Sequence, residues 1–314
     1  MGRIGRSLVK YEKEPFTFEE QADRLIEQGL EADRGALIDR LAATNYFRFC
    51  AYVHPFRLPD MRCARGTTME QVWRLYTFDH RLRMLCLDAI ESIEVQVRTQ
   101  LAYHFAHTYG PFEYLNSTHF PNFDVAMGDF SNWKHRIKKQ VERSLDPKGK
   151  EDFVVSYFRD YGDQHDKLPV WMMVELLDFG GTLSFFRGVK ADIRKTIADP
   201  LGQPEEVILS WLVALNIVRN RCAHHARLWN WGTGSPAKIP TIKKFPRWHQ
   251  PRLSGSCTGM ILFICRHWLH VINPASAWPQ RVTDLFSHFP EIPLSQMGLR
   301  DDWQAHPVWK KPSV

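Results

Sequence analysis

The chain has 314 residues, 44% hydrophobic and 24% charged, the proportions of an ordinary soluble globular protein able to bury a sizeable core as one large domain or two small ones. No apolar run reaches the roughly 18 residues of a membrane span, and the basic stretch Met1 to Lys10 has no long apolar segment behind it, so neither a membrane helix nor a secretory signal is expected. The net charge of +6 is modest but uneven: Val207 to Thr283 contains no Asp or Glu and ten Lys and Arg.

Beyond a polar first stretch expected to be loose, the first helix is predicted over Phe18 to Leu30. Thr17 is its cap, Glu20 its capping-box acid, and Ala22, Leu25 and Ile26 face inward. A second short helix is expected from Asp33 to Ala42, and an aromatic cluster, Asn45 to Tyr52, ends at Pro55. Thr67 and Thr68 open the longest helical pattern, to about His107, with Val72, Tyr76, Cys86, Ile90, Ile93, Val97 and Leu101 as its inner stripe. Asp79 and Arg83 fall on the same stripe, four apart with the acid first, the favoured order for a helical ion pair; Glu94 and Arg98 repeat the spacing. Buried charges need partners, so these residues are either a network orienting a neighbouring helix or a structural ion-pair ladder.

A helix is expected from Asn132 to Leu145, carrying Lys134, His135, Arg136, Lys138 and Lys139 on a solvated face. The Gly180-Gly181 pair is expected to stop a helix beginning near Leu168. Pro204, Glu205 and Glu206 then open a helix whose apolar stripe is Ile208, Trp211, Leu212, Leu215, Val218 and Cys222. Arg219 falls inside that stripe, while Asn220 and His224, four apart, share another face. On one straight helix Arg219 and His224 point about 140° apart. A charged residue on a core-facing stripe is expensive unless something anionic meets it, which marks a site.

Gly232 to Gly255 reads as a loop, and helices are expected over Gly259 to His270 and Pro279 to Phe289. His267 and His270 form an H-x-x-H without a nearby Cys, Asp or Glu, and read as a satisfied or surface pair; no metal and no cofactor are expected. Six scattered cysteines lack a C-x-x-C, and Cys86 and Cys222 on apolar helix faces read as reduced thiols of a cytoplasmic protein. With no repeat and no strand alternation, the architecture is expected to be an all-α bundle. In the acid-free span, tryptophans 229, 231, 248, 268 and 278 and five histidines interleave with the cations. That pattern suits stacking on unpaired bases in a polyanion-binding surface; the alternative is a basic surface over a Trp-rich core.

The run Arg219-Asn220-Arg221-Cys222-Ala223-His224-His225-Ala226-Arg227-Leu228-Trp229-Asn230 resembles the R-x4-6-H signature of HEPN ribonucleases, and within them the Abi (abortive infection) family. Three further segments resemble the same family: Asn45, Arg48 and Tyr52; Asp79, Leu82, Arg83, Glu91, Glu94 and Arg98; and Pro169, Trp171, Glu175 and Gly180. The resemblance spans roughly residues 17 to 310. It implies one all-α, HEPN-like domain over 1–314, with an N-terminal helical and aromatic segment (1–66), a core (67–230) holding a catalytic helix over 204–229, and a basic loop with C-terminal helices (231–314). It also implies a metal-independent endoribonuclease acting as an abortive-infection toxin. Arg219 and His224 would be the catalytic pair and Asn220 would orient the His or the phosphate. Arg221, His225, Asp79, Arg83, Glu91, Glu94 and Arg98 would support them. RNA contacts would come from Arg227, Lys238, Lys243, Lys244 and Arg247. The implied partners are RNA, a structured non-coding RNA antitoxin, and a second copy in a homodimer, with no membrane. A catalytically silent RNA-binding protein of the same fold is the alternative. A metal hydrolase lacks the ligand spacing, and a DNA-binding regulator gives no reason for the inward Arg219.

Overall fold

The computed structural model describes residues 14–124, 126–249 and 253–310, so the polar N-terminal stretch to residue 13 and Arg252 of the basic span lie outside the described residues. Among those described, the chain forms twelve α-helices joined by turns and short 3-10 segments, with no strand beyond isolated bridges. The fold is all-α. No helix among them is long and apolar enough to cross a membrane. The chain divides into two compact units, Met1–Phe78 and Asp79–Val314.

The first unit holds α1 (Phe18–Glu27), α2 (Arg34–Thr44), α3 (Tyr46–Val53) and the first turns of α4 (Met69–Tyr109). The Thr17–Glu20 capping box forms reciprocally, at 2.7 and 3.2 Å. Thr68 and Gln71 make the same exchange ahead of α4, at 3.0 and 3.2 Å, so the long helix has a defined start. Asn45 adopts φ +68 and ends α2, while its side chain accepts the N–H of Phe47 to cap α3. The unit buries Ala22, Leu25, Leu37, Leu41, Phe49, Tyr52, Val53, Val72, Leu75 and Phe78 around one core. Phe47 of the aromatic cluster is instead exposed.

The second unit begins at Asp79 within α4 and adds α5 (Asp129–Leu145), α6 (Asp152–Tyr161), α7 (Val170–Met173), α8 (Phe179–Gly188), α9 (Ala191–Ala198), α10 (Glu205–Ala223), α11 (Thr258–Ile272) and α12 (Trp278–His288). The α10 stripe anticipated from its 3.6-residue period is fully buried at every position from Ile208 to Cys222, and α10 packs on α8, α9 and α11. Helix α11 is buried all round from Thr258 to Leu269, as a core helix of a larger bundle should be. Phe105, Phe120, Trp133 and Phe185 form a second aromatic cluster. It closes on Gly188, where a Cβ would stand 2.5 Å from Phe123 and 2.7 Å from Phe120.

Two expectations fail here for identifiable reasons. Gly180 and Gly181 do not stop a helix; they open α8, because Asp178 caps it by accepting the N–H of Gly181 at 2.7 Å. The tryptophans of the acid-free span do not offer faces to bases: Trp229, Trp248, Trp268 and Trp278 are core residues. The indole N–H of Trp268 donates to Gln96 Oε1 at 3.1 Å and that of Trp278 to Leu85 O at 2.7 Å, so both polar atoms are satisfied in the interior. Trp231 is half-buried beneath the guanidinium of Arg221.

His267 shows how a polar ring is accommodated in that core. Its Nε2 lies 2.9 Å from Leu201 O and its Nδ1 3.2 Å from Arg247 Nη2, so one nitrogen donates and the other accepts. Burial, against the favourable Leu201 carbonyl, lowers its pKa from 6.5 to about 4. An unfolded chain therefore binds a proton on this residue below pH 6.5 that the folded chain refuses until about pH 4. Stability from this group is full above pH 6.5 and falls as pH drops towards 4, by about 3 kcal/mol in total. Unfolding free energies from urea titrations should fall from pH 7.5 to pH 4.5 by about 2.5 kcal/mol more in the wild type than in His267→Gln.

Candidate functional site

The end of α10 is where the unusual residues collect. The helix stops at Ala223 rather than running on to 229, because the chain closes a Schellman turn. The N–H of His225 donates to Cys222 O at 2.9 Å and that of Ala226 to Arg221 O at 3.0 Å. The left-handed position of such a turn is ordinarily glycine, yet His225 occupies it at φ +57. A side chain there costs on the order of 1 kcal/mol, which the surroundings must hold in place. His224 is the cap itself and lies exposed, as does His225. The straight-helix geometry that sets Arg219 and His224 about 140° apart thus ends before the histidine is reached.

What holds the turn is Asp79. Its Oδ1 accepts two N–H groups, from Leu228 at 2.9 Å and from Trp229 at 2.7 Å, and its Oδ2 pairs with Arg83 one helical turn on. Both charged side chains are essentially inaccessible, at 0% and 2%. The far side of the same turn is tied to α11, where Thr258 Oγ1 donates to Leu228 O at 2.8 Å. Arg221 folds back to donate to Arg227 O at 2.6 Å and lies 4.4 Å from the ring centroid of Trp231, so it braces the turn from outside. Asn230 donates to Gln296 at 3.3 Å. Of the two readings of the α4 charges, the orienting network describes Asp79 and Arg83: a buried carboxylate positions the segment directly after the histidines.

Arg219 lies further back on α10, half-buried, with its Nη1 donating to Asn220 Oδ1 at 3.5 Å. It is near enough to Glu94 to favour that carboxylate's charged form, although burial dominates and raises the Glu94 pKa. Arg98 donates to Glu94 at 2.6 Å and to Leu177 O at 2.7 Å, and pairs with Glu175 at 3.4 Å. Arg219 is therefore within electrostatic reach of an acid on α4. Glu91 is exposed on α4. Beneath the site Cys86, Cys222 and Cys265 are free and buried, and burial raises all three thiol pKa values, that of Cys222 to about 12. They are packing residues and not nucleophiles.

The basic residues divide by placement. Lys238, Lys243 and Lys244 are exposed, the first on a strand of loop whose N–H is held by Ser210 Oγ at 2.9 Å. Arg227 and Arg247 are half-buried, and Arg247 leans on His267. Arg266 donates to Trp309 O at 3.0 Å inside the core and Arg281 pairs with Asp88 at 2.7 Å. Arg266 is thus spent inside the molecule and Arg281 is matched by an acid of α4. His80, beside Asp79 on the exposed side of α4, was not legible as a site residue. Burial lowers its pKa, Arg83 adds to this and Asp79 opposes it, with His225 contributing a further lowering. The structure places this third imidazole within the electrostatic reach of the motif turn.

A family model described as Abi-like protein matches residues 39–230, a span that starts in α2 and closes at the last residue of the Arg219–Asn230 run. The chain belongs to the Abi-like protein family. The match takes in Asp79, Arg83, Glu94, Arg98 and the whole Arg219–Asn230 run, whereas the Thr258 contact comes from an Abi-like chain's C-terminal portion beyond it. No curated protein and no solved structure matches the chain.

Proposed function

We propose that this Abi-like protein is a metal-independent endoribonuclease of the HEPN type, an abortive-infection toxin whose activity a structured non-coding RNA restrains. The observation that carries the reading is the exposed His224–His225 turn, strained at His225 and clamped from behind by the buried Asp79–Arg83 pair. RNA contains its own nucleophile, the 2′-OH beside each phosphodiester. Cleavage then needs a base for that proton, an acid for the leaving 5′-oxygen, and positive charge on the pentavalent transition state. Histidine performs either proton transfer near neutrality, and arginine offers a fixed, permanently charged fork to phosphate oxygens. In this reading these tasks fall to His224 and Arg219, as the motif resemblance implies. The test is cleavage of RNA in the presence of EDTA. Retained activity supports the reading, and activity abolished by EDTA and restored by a divalent ion would replace it with a metal hydrolase.

Arg219 faces Asn220 and the field of Glu94, whereas His224 faces solvent. The same separation favours two arrangements. In the first, which we adopt, the active unit is a homodimer in which two motif helices meet about a two-fold axis and each site draws on both chains. In the second, the chain binds RNA without cutting it. Cleavage distinguishes them.

RNA binding itself has a salt signature. If the exposed Lys243 and Lys244 touch phosphates of a single strand, charge reversal at both should reduce the slope of log affinity against log salt by about 1.4, since each phosphate contact contributes about 0.7. Filter-binding titrations from low to physiological salt measure this; an unchanged slope returns both lysines to the role of solvated loop charges.

A further inference from the structure

Cleavage by 2′-OH attack needs two proton transfers, and a third imidazole, outside the motif, lies beside the turn that carries His224 and His225. We infer that His80, from outside the motif, is the base that removes the 2′-OH proton, while His224 protonates the leaving oxygen. This rests on the ribonuclease reading above. In the step, the 2′-O–H bond breaks as a proton passes to the His80 ring nitrogen and the freed oxygen forms a bond to phosphorus. The phosphorus–5′-oxygen bond breaks, and that oxygen takes a proton from the His224 imidazolium. Solvent exchange resets both rings.

Three observations place His80 there. Asp79 accepts the N–H groups of Leu228 and Trp229, which seats these two residues, three and four positions after His225, against the stretch of α4 that carries His80. Asp79 and Arg83 are buried while His80 is exposed, so the helix turns its imidazole outward to solvent, to which His224 and His225 are also exposed. The left-handed turn at His225 brings that imidazole near enough for its charge to act on His80. The groups around His80 are Arg83 and Arg81, which disfavour its protonation, Asp79, which favours it, and His225 from the facing turn, which disfavours it. Arg81 is itself set over the ring of Phe289, 5.4 Å from its centroid. Partial burial adds to the disfavouring set and is the largest contribution. Together these contributions lower the His80 pKa and so favour its neutral form, the state that a base requires.

The experiment compares wild type, His80→Gln and His80→Gly on a pool of single-stranded oligoribonucleotides in EDTA across pH 5 to 9. The inference expects kcat to fall about 10²- to 10⁴-fold in His80→Gln, with KM and the melting temperature unchanged and the acid-side limb of the pH–rate profile gone. Added imidazole should restore part of the rate to His80→Gly. A residue that merely packs against the turn would leave the limb in place and gain nothing from imidazole. A His80→Gln enzyme that keeps the wild-type rate and limb overturns the base assignment and leaves the ribonuclease reading standing. A wild type that cleaves no RNA overturns both.

Discussion

Asp79→Ala should destabilise the second unit by about 3–5 kcal/mol, the cost of breaking a buried ion pair by removing one partner. The side chain is wholly inaccessible and satisfies three groups at once: the N–H of Leu228, the N–H of Trp229 and the guanidinium of Arg83. Its loss removes the buried carboxylate that pairs with an arginine at 2% exposure and leaves two backbone donors without that acceptor, each of which adds a desolvation penalty. Asp79→Asn separates the two roles. An amide oxygen of the same shape can still accept from Leu228 and Trp229, so the turn should keep its course while the charge on Arg83 goes unanswered. Its destabilisation should be smaller than that of Asp79→Ala. The double variant Asp79→Leu/Arg83→Met should recover much of the lost stability, because a hydrophobic pair of similar volume removes the charge problem. It should not recover activity, since nothing then holds residues 228 and 229 behind the histidines. Chemical denaturation of the four proteins reads this directly, and an Asp79→Ala protein within 1 kcal/mol of the wild type would remove the clamp from the account.

His224→Ala should do the opposite, abolishing RNA cleavage while leaving stability within about 0.5 kcal/mol, the usual range for an exposed substitution. The imidazole is exposed, and its residue closes α10 through its backbone N–H, which alanine retains. Loss of a general acid or base lowers rate by about 10²- to 10⁴-fold. Arg219→Ala should lower it comparably through the phosphate charge. Mixing the two inactive proteins, under conditions that let subunits exchange, should restore part of the activity if one site draws on both chains. A monomer with full activity at nanomolar concentration would contradict the homodimer while leaving each single-variant result in place.

Periodicity carried most of the fold. The stripe Ile208 to Cys222 is buried at every position, and the α4 stripe is buried from Cys86 to Leu101 at the positions its spacing selects. Caps were equally legible where they use the usual chemistry, as at Thr17 with Glu20 and at Thr68, whose side chain accepts from Gln71. The end of α10 was not. A left-handed stop is recognised by glycine, and here a histidine fills it, so the sequence pattern carries no stop signal before residue 229. The Gly180-Gly181 pair misled in the reverse sense, because the Asp178 cap before it turns a stop into a start. Composition could not distinguish indoles that stack on bases from indoles that fill a core; only their burial settles that Trp248 and Trp268 are interior. The grip of Asp79 on residues 149 and 150 positions further along was out of reach for a local reading, although its pairing with Arg83 was not. His80 was hidden for the same reason: its significance comes from the turn that folds against it.

The central claim is that this turn cuts RNA by 2′-OH attack, and the chemistry of the cut ends tests it most directly. RNA incubated in EDTA with the wild type or with His224→Ala, then analysed for its termini, should show 2′,3′-cyclic phosphate and 5′-hydroxyl ends with the wild type alone. A 5′-phosphate and 3′-hydroxyl product, equal cleavage by His224→Ala, or intact RNA with both proteins would contradict it.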